Sequence, residues 1–188
     1  MMSDSNDKFI YETVRLRFRG LAPSDIDGPY AHWLDDQEVC RYIRHGNFPS
    51  TRGKLKAYID MLQSTETQLV WAIVEKERNI HIGNIALQDV NLERRSADLT
   101  IMLGDKSCWG LGYSEEAARI MLLHGFRNIG LNRVTCGTSK NNSGMKKLAA
   151  KLGMKQEGIR REALFEEGQF VDMIEFGILK KEFDSEIL

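Results

Sequence analysis

At 188 residues and 21.5 kDa the chain suits one domain of ordinary size with a substantial core. Its net charge of −1 and pI near 6.4 argue against the basic footprint of a nucleic-acid or anionic-membrane binder, and the expected partner is small. Cys40, Cys108 and Cys136 lack disulfide or metal-ligand spacing, so no metal is expected and a reducing cytoplasm suits them.

The start, Met1 to Asp7, is polar and acidic, and no run approaches the roughly twenty apolar residues of a membrane span. Residues 1–8 are expected to form a disordered tail ahead of one domain over 9–188. The stretch from Val14 to Arg19 alternates strictly, which predicts a half-exposed strand with Val14, Leu16 and Phe18 on one face and three arginines on the other. Ser24 is placed to cap a helix through Trp33 and Leu34, and residues 35–43 continue as a second short helix. Ser50 caps a third, with Leu55, Tyr58, Ile59 and Leu62 on one side. Residues 69–74 and 80–87 read as a hairpin about a charged turn, and 97–103 as a further strand. After a glycine turn, Ala118, Met121, Leu122 and Phe126 recur at helical spacing until Gly130. A strand over 133–138, a short helix over 143–152 stopped by Gly153, and strands over 154–160 and 170–179 complete the chain. This order describes a mixed sheet with helices on its faces, an α/β or α+β domain.

The glycine turn carries the strongest chemical signal. Gly110 and Gly112 permit positive φ and close backbone approach, and the helix that follows offers unpaired N–H groups at the positive end of its dipole. Trp109, Gly110, Leu111, Gly112, Tyr113 and Ser114 are therefore candidates to cradle phosphate. A plain strand-to-helix turn that uses glycine for clearance has the same spacing.

The run W-G-L-G-Y-S-E-E-A over 109–117 is followed by a helix, a strand, Asn142, a short helix and Lys151-Leu152-Gly153-Met154. Together with Arg15-Leu16-Arg17, the stretches 33–39, 81–85 and 168–172, and Glu157-Gly158, this pattern resembles the GNAT acetyltransferase superfamily, in particular its branch of ribosomal-protein N-terminal acetyltransferases. The resemblance implies a mixed, mostly antiparallel sheet of about seven strands, with helices on both faces and a V-shaped gap between the parallel strands 97–103 and 133–138. It also implies acetyl-CoA in that gap. The pantetheine arm would lie on backbone groups of Ile101, Met102 and Leu103, and the pyrophosphate on the N–H groups of Trp109 to Ser114. Asn142 falls beside the pantetheine in this reading, with a helix cap as its alternative role.

Transfer to an amine needs a neutral nucleophile and a stabilised oxyanion. An α-amine with pKa near 7.7–8.0 is roughly a tenth neutral at pH 7, whereas a lysine amine near 10.4 needs more help from a base. A backbone N–H near Met102 is expected to meet the oxyanion. Asp98, Glu38 and His81 are the candidate bases, and Asp98 matches a position where relatives often carry an acidic residue. Pairing with Arg94 or Arg95 is the competing role for Asp98, and a part-exposed place beside a turn that for His81. Glu38, Arg41, Tyr42 and His81 are expected to shape the acceptor site, though Glu38, Arg41 and Tyr42 suit a solvated helix face as well.

The chain departs from the family pattern at the acid. Relatives carry a tyrosine at the place of Ala149, and the ribosomal-protein branch a serine at the place of Met145. A thiol pKa near 8.5 makes thiolate a tolerable leaving group, so water or Ser143 can substitute. The departure weakens a ribosomal protein as acceptor. The expected activity is a cytoplasmic, acetyl-CoA-dependent N-acetyltransferase acting in a ternary complex on a small-molecule amine or a protein N-terminus, as monomer or homodimer. No nucleic-acid or membrane partner is expected. An amino-sugar nucleotide N-acetyltransferase and a non-catalytic acyl-CoA-binding module stand as alternatives.

Overall fold

The computed structural model describes residues 8–43 and 50–183, so the expected tail, apart from Lys8, lies outside the described residues. Eight strands among these residues form one sheet: β1 (Tyr11–Glu12), β2 (Leu16–Gly20), β3 (Leu69–Glu75), β4 (Ile80–Asn91), β5 (Ser96–Leu103), β6 (Arg133–Ser139), β7 (Lys155–Glu166) and β8 (Gln169–Leu179). Their order is β1-β2-β3-β4-β5-β6-β8-β7, and every neighbouring pair is antiparallel except β5 and β6. The strand beyond the expected seven is the two-residue β1. A turn folds it onto β2, with Thr13 Oγ1 accepting from Leu16 N at 3.0 Å. Val14 stands on that turn and is 91% exposed, so the strand starts two residues later than its alternation predicts.

Among the described residues four α-helices cover the sheet: α1 (Pro29–Asp35), α2 (Arg52–Leu62), α3 (Tyr113–His124) and α4 (Ser143–Lys151). Strand alternation divides the apolar residues between two cores. Leu16, Phe18, Trp71, Ile73, Ile85, Leu87 and Leu99 pack in one core with Ala117, Met121 and Leu122 of α3 and Leu148 and Ala149 of α4. Val70, Ala72 and Ala86 pack on the other face with Tyr30, Trp33, Leu34, Leu55 and Ile59 of α1 and α2. Each fully buried leucine, isoleucine or phenylalanine among them contributes about 1.5–3 kcal/mol.

Three helix expectations change. Ser24 caps nothing. The chain takes a 3-10 turn over Pro23–Asp27, in which Asp25 Oδ2 accepts from Ala22 N at 2.8 Å, and then starts again at Pro29. Both prolines fall where a helix begins, because a missing N–H costs nothing there. Residues 37–43 form turns rather than a helix: Asp36 Oδ1 accepts from the N–H of Glu38 and Val39 at 2.9 and 3.2 Å, closing a local loop that competes with helical bonding. Thr51 rather than Ser50 caps α2, accepting from Lys54 N at 3.3 Å. All three cysteines are free and buried. Among the described residues no helix is long and apolar enough to cross a membrane.

The join between α1 and the end of β5 is tight. A Cβ on Gly104 would stand 1.8 Å from Cδ2 of Trp33. Gly104→Ala is therefore expected to displace the indole and destabilise the protein by about 1–3 kcal/mol, read as a lower urea midpoint. An unchanged midpoint would show that α1 docks with latitude.

Candidate active site

β5 and β6 pair only at Ser96, Ala97 and Asp98 against Arg133, Val134 and Thr135. Beyond that step β5 stays on β4 as far as Leu103, and β6 stays on β8 as far as Ser139. The two arms therefore diverge as a V with facing edges unpaired. The β4 ladder decides which groups face the gap. Gly104 N donates to Ile82 O at 2.9 Å, which makes Met102 and Asn84 the next hydrogen-bonded pair. Met102 therefore turns its N–H and C=O toward β4, while Ile101 and Leu103 turn theirs toward the gap. This corrects the expectation for Met102, whose side chain packs against the α1–α2 core. Trp109 Nε1 donates to the Leu103 carbonyl at 2.8 Å, leaving both groups of Ile101 and the N–H of Leu103 for a ligand.

Asp98 occupies the last paired step, at the apex. It makes no ion pair with Arg94 or Arg95; Arg95 donates instead to Ile129 O. The Asp98 carboxylate accepts from Thr135 Oγ1 at 3.0 Å. Burial pushes its pKa up to about 6, against the Thr135 bond and Arg160, which favour the charged form; Asp89 and Glu175 add to the rise. Register places Glu175 and Thr135 on the same face of β8 and β6, and Arg160 Nε holds Glu175 at 2.7 Å.

The other two candidate bases do not join Asp98. His81 is buried beneath Trp33 and Tyr30, with Nε2 2.8 Å from Asn84 Oδ1 and Nδ1 3.4 Å from Asp25. It lies seven residues along β4 from Gln88, the partner of Asp98, or roughly 20 Å at strand rise. Glu38 is exposed and pairs with Lys106 at 2.7 Å.

Glu38, Arg41 and Tyr42 do share a place, the mouth of the V. Lys106, just past the end of β5, binds Asp36 and Glu38 at 2.8 and 2.7 Å. Tyr42 Oη donates to Asn141 O, just past the end of β6, at 3.2 Å, and Arg41 binds Glu167 in the β7–β8 turn at 2.8 Å. The segment 36–43 thus straps one arm to the other. The exposed pairs contribute little each, so the strap is lightly held.

The loop below the mouth suits a pyrophosphate. Gly110 and Gly112 have φ of 76° and 83°, and a Cβ on Gly110 would meet nothing within 4 Å. Gly112 is the N-cap of α3 and supplies no side-chain cap, so the first-turn N–H groups remain for a ligand. Glu115 and Glu116 in that turn are both neutralised. Arg119 and Lys151 bind Glu115 at 3.2 and 2.9 Å, and Arg15 binds Glu116 at 2.7 Å. Arg15, Thr135, Arg160 and Glu175 had no distinguishing sequence signal, since each meets a partner distant in the chain.

Across the gap, Asn142 caps α4, with Oδ1 accepting from Met145 N at 3.0 Å. Its amide N–H2 is the part that can reach a ligand. Ser143 is exposed at the first position of α4, whereas Met145 and Ala149 pack in the core.

A family model described as an acetyltransferase (GNAT) domain matches residues 15–155. The uncharacterized N-acetyltransferase p20 of Bacillus licheniformis is 28% identical over 174 residues, covering 91% of this chain and 96% of that protein. The spermidine N-acetyltransferase of Vibrio cholerae, solved with CoA and spermine, superposes with a TM-score of 0.82 at 18% identity, over 90% of this chain and 98% of that one. RimL, the ribosomal L7/L12 alpha-N-protein acetyltransferase solved with coenzyme A, gives 0.83 at 14% identity, over 95% and 99%. These two structures speak for the fold.

The raised pKa of Asp98 has a definite sign in stability. Its folded pKa of about 6 exceeds the unfolded value near 3.9, so the folded state loses stability as pH rises from about 4 to 6 and the loss persists above that. Asp98→Asn is expected to gain stability relative to wild type across this window, in urea midpoints taken from pH 4 to 7. A constant difference would show that the carboxyl is not strained.

Proposed function

Because the chain belongs to the GNAT acetyltransferase family, with the family model spanning residues 15–155, we propose that it transfers the acetyl group of acetyl-CoA directly to a primary amine in a ternary complex, with Asp98 as the base. The acceptor is a small-molecule amine or a protein N-terminus. The observation that carries this reading is the V between β5 and β6, with a carboxyl of pKa about 6 at its apex and a phosphate-fitting loop below one arm. When bound, acetyl-CoA supplies the acyl group as a thioester with a thiolate leaving group.

The chain's own groups divide the remaining work. The N–H and C=O of Ile101 and the N–H of Leu103 hold the pantetheine arm as an added strand, and one of these N–H groups meets the charge that builds on the thioester oxygen. Asn142 reaches the arm as a donor. The N–H groups from Trp109 to Ser114 take the pyrophosphate. Asp98, ionised at pH 7, accepts the ammonium proton directly or through water. An acid near 6 is about two units below an α-amine and about four below a lysine amine, so proton removal is easier from the α-amine. Ser143 or water protonates the thiolate, and Glu38, Arg41 and Tyr42 border the entry of the acceptor.

Calorimetry with CoA tests the loop. Wild type is expected to bind, and Gly112→Val, which strains a φ of 83° and fills the cradle, is expected to lose binding while its fold persists by circular dichroism. Unchanged affinity would refute the loop assignment. Thiol release from acetyl-CoA across a panel of amines tests the chemistry. Asp98→Asn is expected to lower kcat about a hundredfold or more, and the wild-type rate is expected to rise with pH through about 6. Binding of CoA without turnover on any amine would leave the non-catalytic acyl-CoA-binding module.

A further inference from the structure

An acidic helix start is an awkward place to bind pyrophosphate. Glu115 and Glu116 both lie in the first turn of α3, beside the N–H groups proposed to hold the ligand, where their charge would oppose it. Local cations answer Glu115: Arg119 is one turn away, and Lys151 closes α4. Glu116 is answered from about a hundred residues away. Thr13 Oγ1 donates to its Oε1 at 2.6 Å, Arg15 N to the same oxygen at 3.0 Å, and Arg15 Nε to its Oε2 at 2.7 Å.

The Arg15 guanidinium extends past Glu116 into the loop. One of its terminal nitrogens donates to the Leu111 carbonyl at 2.9 Å, and its Cζ lies over the Tyr113 ring, 4.4 Å from the centroid. Its other terminal nitrogen lies 3.6 Å from where a Cβ on Gly112 would stand. The bond to Leu111 sets a direction. In a trans peptide the C=O and the following N–H point opposite ways, so anchoring Leu111 O on Arg15 aims the Gly112 N–H away from the guanidinium. Gly112 is the cap whose positive φ turns the chain into α3.

We propose that Arg15 is the positioning residue of the pyrophosphate loop: it neutralises Glu116 and holds the Leu111–Gly112 peptide with its N–H presented to the phosphates. The inference rests on the acetyl-CoA reading above. It requires the fork of an arginine, because one side chain must serve a carboxylate and a carbonyl together, which an ammonium point charge does poorly.

The test compares wild type, Arg15→Ala and Arg15→Lys in two measurements. In calorimetry, Arg15→Ala is expected to weaken CoA about tenfold to a hundredfold, and Arg15→Lys, which keeps the charge and serves as the second arm should the alanine variant fail to fold, severalfold. In steady-state assays, kcat/KM for acetyl-CoA is expected to fall in step through KM, while kcat/KM for S-acetylpantetheine, which lacks the pyrophosphate, stays within about twofold of wild type. Equal losses on both thioesters would mark Arg15 as structural only and overturn the proposal. So would undiminished CoA affinity in the variants while wild type binds. Wild type that binds no CoA would overturn the acetyl-CoA reading and this inference with it.

Discussion

The parting of β5 from β6 after Asp98 and Thr135 is the constraint on which the rest of the molecule depends. Unpaired main-chain groups are costly inside a fold, and a gap in the middle of a sheet would ordinarily close. It persists here because each arm has a full ladder on its other edge, β5 with β4 and β6 with β8. The helices reinforce the separation, since α3 and α4 lie over one face and α1 and α2 over the other, so neither arm depends on the other for cover. The gap thus has the hydrogen-bonding capacity of a missing strand.

Charge is arranged around this gap by cancellation rather than by accumulation. The near-neutral whole chain is reproduced locally at the loop, where each acidic residue of the first turn of α3 has a cation in contact. What remains is the set of N–H groups and the helix dipole, the groups proposed to take phosphate, without the indiscriminate attraction of a basic patch. The apex shows the opposite choice. Asp98 has a hydroxyl rather than a cation as its bonded neighbour, and burial raises its pKa.

The sequence carried the architecture well where periodicity or a glycine marked it. Apart from the unexpected β1 and from β7, which runs six residues past its expected end at Arg160, the strands, α3 and α4, and the turn at Gly110–Gly112 are found within a few residues of expectation. It carried less where a local competitor decided the outcome. Pro29 broke one expected helix into two pieces, and the Asp36 carboxylate closed a turn where a second short helix was expected. Long-range facts were out of reach. Arg15 shares its pattern with Arg17 and Arg19, and only the fold brings it to Glu116; Arg19 instead pairs with the buried Asp25. Burial of His81 depends on Trp33 and Tyr30 arriving from α1. Whether Met102 or its neighbours face the gap depends on parity set by a bond between Gly104 and Ile82, which no single strand reveals.

On β5 the cosubstrate is proposed to meet main-chain atoms of odd-numbered residues, while Asp98, Thr100 and Met102 point their side chains to the face covered by α1 and α2. Main-chain recognition is blind to side-chain identity, so substitution along such a strand can leave a main-chain grip undisturbed. Such a strand separates what must be inherited from what is free to diverge. Neighbours named for spermidine and for a ribosomal protein keep the same fold as this chain at 18% and 14% identity, which is the divergence that a scaffold of this kind permits.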